Sequence, residues 1–174
     1  MSVSTHRTAS APRSVADGES PLLDVTQVPW HELSDSSGSA AAIPFLIAAI
    51  ASGDPGVARH ALERLADRVC EFGFVVGQAT AATVPFLWLL ARQPQVTCRP
   101  QILRLLENIA GARQWQTTAA AYPKLLRHHD HHVRWERTAR QAVRAGRDAL
   151  PGLLADRDPD IARAAADLAA ALGR

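Results

Sequence analysis

Gly53-Asp54-Pro55-Gly56-Val57-Ala58-Arg59 and, near the other end of the chain, Arg157-Asp158-Pro159-Asp160-Ile161-Ala162-Arg163 read as two copies of one local instruction. In each, Asp is placed to cap a helix and Pro to fill its first position, where the missing N–H serves no intrahelical acceptor. The aliphatic residue two positions after Pro is then expected to enter the groove between this helix and the one before it. Looser copies occur at Arg92-Gln93-Pro94-Gln95-Val96 and at His128-His129-Asp130-His131-His132, which leads into Val133-Arg134. Upstream of each turn a proline is expected to open an apolar first helix: Ile43-Pro44-Phe45-Leu46, Val84-Pro85-Phe86-Leu87, Tyr122-Pro123-Lys124-Leu125-Leu126 and Leu150-Pro151-Gly152-Leu153-Leu154. The second helices show the spacing of one buried stripe, as in Ala58, Ala61, Leu62, Leu65 and Val69, or Ile102, Leu103, Leu105, Leu106 and Ile109. Nowhere does two-residue alternation persist long enough to predict a strand. One helical hairpin, repeated, is the architecture these stretches predict.

The four prolines are spaced 41, 38 and 28 residues apart, so the third unit is compressed. A proline-opened first helix, an Asp-Pro turn, and an aliphatic residue with Arg close behind resemble the HEAT-repeat (armadillo-like) family over about residues 40–174. Val28-Pro29-Trp30, the Ile43-Pro44 helix and the connection from Phe72 to Thr80 before Val84-Pro85 are similar to uncharacterised actinobacterial HEAT-repeat proteins. The resemblance implies an all-α fold, a right-handed α-α superhelix of about four HEAT-like hairpins. It also implies a protein-binding role, with an extended surface built from the second helices. This chain differs from that pattern in its short array, its apolar Phe72-Gly73-Phe74-Val75-Val76 and its histidine-rich turn.

Residues 1–20, rich in Ser, Thr, Ala, Pro and Gly, are expected to be a disordered N-terminal tail, because they offer little to bury against the entropy of ordering. Residues 21–174 are expected to form the repeat domain, starting with a short helical turn at 28–33 whose Trp30 and Leu33 face inward. At 174 residues the chain is long enough for a single core. With 5% aromatic residues and roughly a fifth alanine, that core must be aliphatic and its helices closely packed. Cys70 and Cys98 form no Cys-x-x-Cys pair, which speaks against a disulfide framework or a thiolate metal cluster and fits the cytoplasm. No apolar run reaches the ~18 residues that a membrane span requires.

Net charge, +2, is too small to mark a nucleic-acid binder, but it is unevenly distributed. Residues 1–110 carry 8 basic and 10 acidic side chains, whereas residues 111–174 carry 11 and 7. Much of that excess is a stripe, Arg134, Arg137, Arg140, Arg144 and Arg147, whose spacing puts it on one helix face. Guanidinium groups there suit an acidic protein surface or phosphates. Glu136 and Asp148, each four residues from an arginine of the stripe, are expected to neutralise part of it. Trp88 and Trp135 read as packing residues, and Trp115, in the polar stretch Arg113-Gln114-Trp115-Gln116, as a contact residue.

His128, His129, His131 and His132 supply imidazoles enough for a metal. Adjacent histidines diverge, however, and no second ligand cluster accompanies them, so they read as a solvated turn with weak metal candidacy. No nucleophile motif, phosphate loop or paired carboxylate is legible, and no catalytic residue or cofactor is assigned. The expected function is therefore non-catalytic binding of another protein or peptide with an acidic surface, through the arginine stripe and Trp115. An inhibitor, immunity or adaptor protein is its concrete form. A nucleic-acid-binding or DNA-glycosylase-like HEAT protein is the alternative, and an accessory protein or enzyme of a biosynthetic pathway the third.

Overall fold

The computed structural model describes residues 21–124 and 130–173; the expected tail at 1–20 lies outside them. The fold is mostly helical. Eight α-helices occur among the described residues: α1 (Ile43–Ile50), α2 (Pro55–Val69), α3 (Thr80–Arg92), α4 (Arg99–Gly111), α5 (Gln114–Ala121), α6 (Asp130–Ala145), α7 (Leu150–Leu154) and α8 (Pro159–Leu172). The turn at Trp30–Glu32 is a short 3-10 segment that buries Trp30, whose indole donates to the Val25 carbonyl at 2.6 Å.

The two Asp-Pro turns work as their residues dictate. Asp54 Oδ1 accepts from the Val57 amide at 2.8 Å, and Asp158 Oδ1 from the Asp160 amide at 2.9 Å, with Pro55 and Pro159 opening α2 and α8. Helix α2 buries the expected stripe, Ala58, Ala61, Leu62, Leu65 and Val69; of the spacing Ala165, Leu168 and Leu172 expected on α8, Ala165 and Leu168 are buried together with Ile161 and Ala164, and Leu172 is half-buried. Of the three aliphatic groove residues, Ile161 is buried, Val133 half-buried and Val57 exposed.

The prolines divide. Pro44 and Pro151 stand in the first turn of α1 and α7, as expected. Pro85 does not open α3, which starts five residues earlier at Thr80. The early start is fixed by side chains: Thr80 Oγ1 accepts from Gly77 N at 2.9 Å and donates to the Val69 carbonyl at 2.6 Å, while Thr83 Oγ1 donates to the Ala79 carbonyl. Pro85, itself exposed, leaves the carbonyl of the half-buried Ala81 without its usual helical donor. Pro123 lies in a turn after α5, and the rest of the helix expected from it, Leu125 and Leu126, lies outside the described residues.

Two short antiparallel pairs were not expected. β1 (Ser34–Asp35) pairs with β2 (Gly38–Ser39), and β3 (Cys70–Glu71) with β4 (Val75–Val76) in the register Cys70 to Val76 and Glu71 to Val75. At two residues per strand, no alternation can be seen in the sequence. The β3–β4 turn carries consecutive positive φ values, Phe72 at 54° and Gly73 at 78°, with Phe74 N donating to the Glu71 carbonyl. Such a turn normally favours Asn or Gly where Phe72 stands.

The order of packing departs from simple repetition. Helix α1 packs on α2, α3 on α4 and α7 on α8, but α8 lies along α4, and α6 crosses onto α3 and α4. Helix α6 thus packs on both members of the α3–α4 pair, and α8 packs directly on α4. Leu87, Leu90, Ile102, Leu103, Leu106, Ile109 and Leu168 are fully buried at this junction. An ion pair ties it further: Arg99 Nε donates to the Ala91 carbonyl and Arg99 Nη2 to Asp156 Oδ2, both at 2.7 Å.

Candidate functional site

The expected histidine-rich turn is, in its described part, the first turn of α6. His131 and His132 are helical, while His128 and His129 lie outside the described residues. The helix brings imidazole next to indole: the His132 ring lies 4.2 Å from Trp115 and 4.8 Å from Trp135, and His131 lies 4.1 Å from His132. Among the described residues no group of three or more His, Cys, Asp or Glu side chains is placed to hold a metal ion.

One turn beyond His132, Glu136 is fully buried. Its carboxylate accepts from the Trp115 amide at 2.7 Å and the Gln116 amide at 2.9 Å, so it caps α5 from another helix, where Arg113 supplies no side-chain cap. The expected pairing of Glu136 with Arg140 is therefore corrected. The first N–H groups of a helix have no intrahelical acceptor, and a buried carboxylate needs donors; each satisfies the other. Helix α6 thereby holds Trp115 by its backbone and by its ring.

The arginine stripe is present with modifications. Arg134, Arg137 and Arg144 are exposed on α6; Arg140 is half-buried and donates through Nη2 to Gln116 Oε1 at 2.8 Å. Arg147 lies past the helix, in the 3-10 turn Arg147–Ala149, as does Asp148, so the expected Asp148–Arg144 helical pairing is absent. Among the described residues none of the five forms an ion pair. Arg140 is easier to deprotonate than an ordinary arginine. Burial is the first cause and the neighbouring Arg113 the second; Glu136 opposes the shift, and Arg144 and Arg137 add to it. Arg113, 21 residues before the stripe's first arginine in sequence, thus joins it in space.

Trp88 is a packing residue, as expected: it is buried, and its Nε1 donates to the Val143 carbonyl at 3.2 Å. Trp135 is not fully so. It is half-buried and, with Trp115 and His132, forms one wall of a cleft of about 220 Å³. The opposite wall is β4 with Gln78, and Ser34, Asp35, Arg68 and Glu71 complete the cleft. Arg68 Nη1 meets Asp35 Oδ2 at 2.7 Å, and the Asp35 side chain has no exposure. Gln78 Oε1 accepts from Ser34 through both its amide and its hydroxyl, joining β1 to the segment after β4. Sequence reading singled out Trp115 but missed Asp35, Arg68 and Glu71, since ordinary polar residues in two short loops and a helix end carry no spacing signal. The only hint was the apolar stretch at 72–76, which proves to be the hairpin beside the cleft.

Both cysteines are free and buried, and burial pushes the Cys70 thiol up to about 12 and raises that of Cys98. No described helix is long and apolar enough to cross a membrane. Comparison with protein-family models, curated proteins and solved structures finds no match to this chain.

Proposed function

We propose that this chain is a non-catalytic protein-binding module built from HEAT-like helical hairpins, and that it docks an acidic surface of its partner on α6. The observation that carries the proposal is the unneutralised cation face: Arg134, Arg137 and Arg144 point to solvent, Arg113 stands beside Arg140, and the nearest carboxylate, Glu136, is committed to capping α5. Mutual repulsion among guanidinium groups is relieved when carboxylates are brought against them. Repeated Asp-Pro caps on α2 and α8 support the HEAT-like reading, with α1–α2, α3–α4 and α7–α8 as units of a short right-handed superhelix and α5–α6 as an irregular one. A shallow hollow of about 240 Å³ between α2 and α4, which includes Leu62, Leu105, Arg59 and Arg104, lies on the second helices, where such arrays bind peptides. The buried free thiols suit a reducing compartment, the cytoplasm. An inhibitor, immunity or adaptor protein is the role this surface fits.

The test reverses Arg134, Arg137 and Arg144 to Glu, sparing Arg140 because it bonds Gln116. The expected result is loss of an acidic partner captured by the unaltered protein, unchanged helicity, and negligible duplex DNA binding at physiological salt. Micromolar duplex binding that falls steeply with salt and disappears in the variant would replace this reading by nucleic-acid recognition, since each neutralised phosphate releases counterions.

A further inference from the structure

We propose that the cleft between β4 and the Trp115–His132–Trp135 wall binds a compact organic cation, an alkylammonium or guanidinium head group, with Glu71 as its counter-charge. The site is distinct from the arginine face of α6.

The charges in the cleft argue for this class. Asp35 and Arg68 neutralise each other at 2.7 Å, and the second Asp35 oxygen accepts from the Ser37 amide at 2.8 Å, so the buried carboxylate is fully engaged. Glu71, three residues beyond Arg68, is half-buried and lines the same cleft, yet among the described residues its side chain makes no hydrogen bond or ion pair. Arg68 is turned to Asp35 and leaves it unmatched. The formal balance of Asp35, Arg68 and Glu71 is one negative charge.

The rest of the lining suits the apolar part of such a ligand. Two indoles and an imidazole offer π-electron density, and an indole is the best aromatic partner for an ammonium or guanidinium. Val75 and Val76 supply an aliphatic wall for attached methylene groups, and about 220 Å³ admits a head group with a short chain. An anion would be repelled by the Glu71 carboxylate, which Arg68 leaves unmatched. A metal ion would find one unpaired carboxylate and the His132 imidazole, and among the described residues no group of three or more His, Cys, Asp or Glu side chains is placed to hold one. The same chemistry is presented by a free small amine or by a Lys or Arg side chain of a protein.

Trp115 and Trp135 lie in the cleft, so indole emission reports occupancy. The full chain is titrated with n-butylammonium and methylguanidinium chlorides, with butyrate and the neutral methylurea as controls, at constant ionic strength. The expected result is a saturable emission change for the two cations, with Kd on the order of a millimolar for such small ligands, and none for the controls. Glu71→Gln, which breaks no protein contact, should retain the melting temperature and weaken both cations by about tenfold. A short peptide with one Arg or Lys that binds more than about tenfold tighter than the head group identifies a protein side chain as the occupant, and equal affinity identifies a free amine; either supports the proposal. An equal response to methylurea or butyrate, no saturation, or unchanged cation affinity in Glu71→Gln would overturn it.

Discussion

The Trp88 indole lies against the Cα of Gly146, so close that a Cβ at 146 would stand 2.2 Å from the ring. The same indole donates to the Val143 carbonyl, so the end of α6 is held on α3 through one side chain. Gly146 is at φ −87°, which any residue adopts, and its requirement is space alone. Gly146→Ala should cost about 1–3 kcal/mol, typical of overpacking a close contact. A chain of this size should then lose about 2–4 °C of melting temperature per kcal/mol. Adding Trp88→Phe should restore part of the loss, so the two changes will not be additive. Additive losses in calorimetry would show that the ring is not what excludes the methyl group.

Glu136→Ala removes the acceptor of two part-buried helix-start amides and should destabilise by about 1–2 kcal/mol, the range of a lost helix cap. Hydrogen exchange should quicken first at Trp115 and Gln116. Uniform loss of protection across all helices, with none specific to α5, would count against the cap.

Acid sensitivity should reside partly in Asp156. The Asp158 amide, first, and the Arg99 guanidinium hold its carboxyl below the usual carboxylate range. A group whose folded value is depressed stabilises fully above its unfolded value, about 3.9, and loses that contribution as pH falls through the folded value. Asp156→Asn should therefore melt lower than the unaltered protein at neutral pH, and the gap should narrow as pH drops below about 4. A gap independent of pH would mean that the pair does not couple to folding.

Thiol reactivity offers a further check on the β3 region. With Cys70 raised to about 12 and Cys98 also raised, an aromatic disulfide reagent at pH 8 should label neither in the native protein. Denaturation should expose both, 2 per chain. Rapid native labelling of Cys70 would show that β3 and β4 open readily.

Much of the helical framework was legible because it depends on neighbours in sequence. Asp54-Pro55 and Asp158-Pro159 cap and open helices with atoms two or three residues away, and the stripe from Ala58 to Val69 needs only the helical period to define its buried face. Where the sequence misled, a distant contact outweighed the local rule. Thr80 moved the start of α3 ahead of Pro85 by bonding Val69, and Glu136 left Arg140 for the amides of Trp115 and Gln116.

What the sequence determined by itself, then, is that this chain makes capped amphipathic helices in pairs, with a cationic face on α6. Only the tertiary structure decided that α8 lies on α4, that Glu136 caps α5, and that Glu71 shares a cleft with Trp115 and Trp135. Helix caps and periodicity act over a turn or two of chain, where spacing is visible. Buried charges and clefts are settled by which surfaces meet, and an Asp, a Glu or an Arg in a short loop carries no mark of the partner it will find.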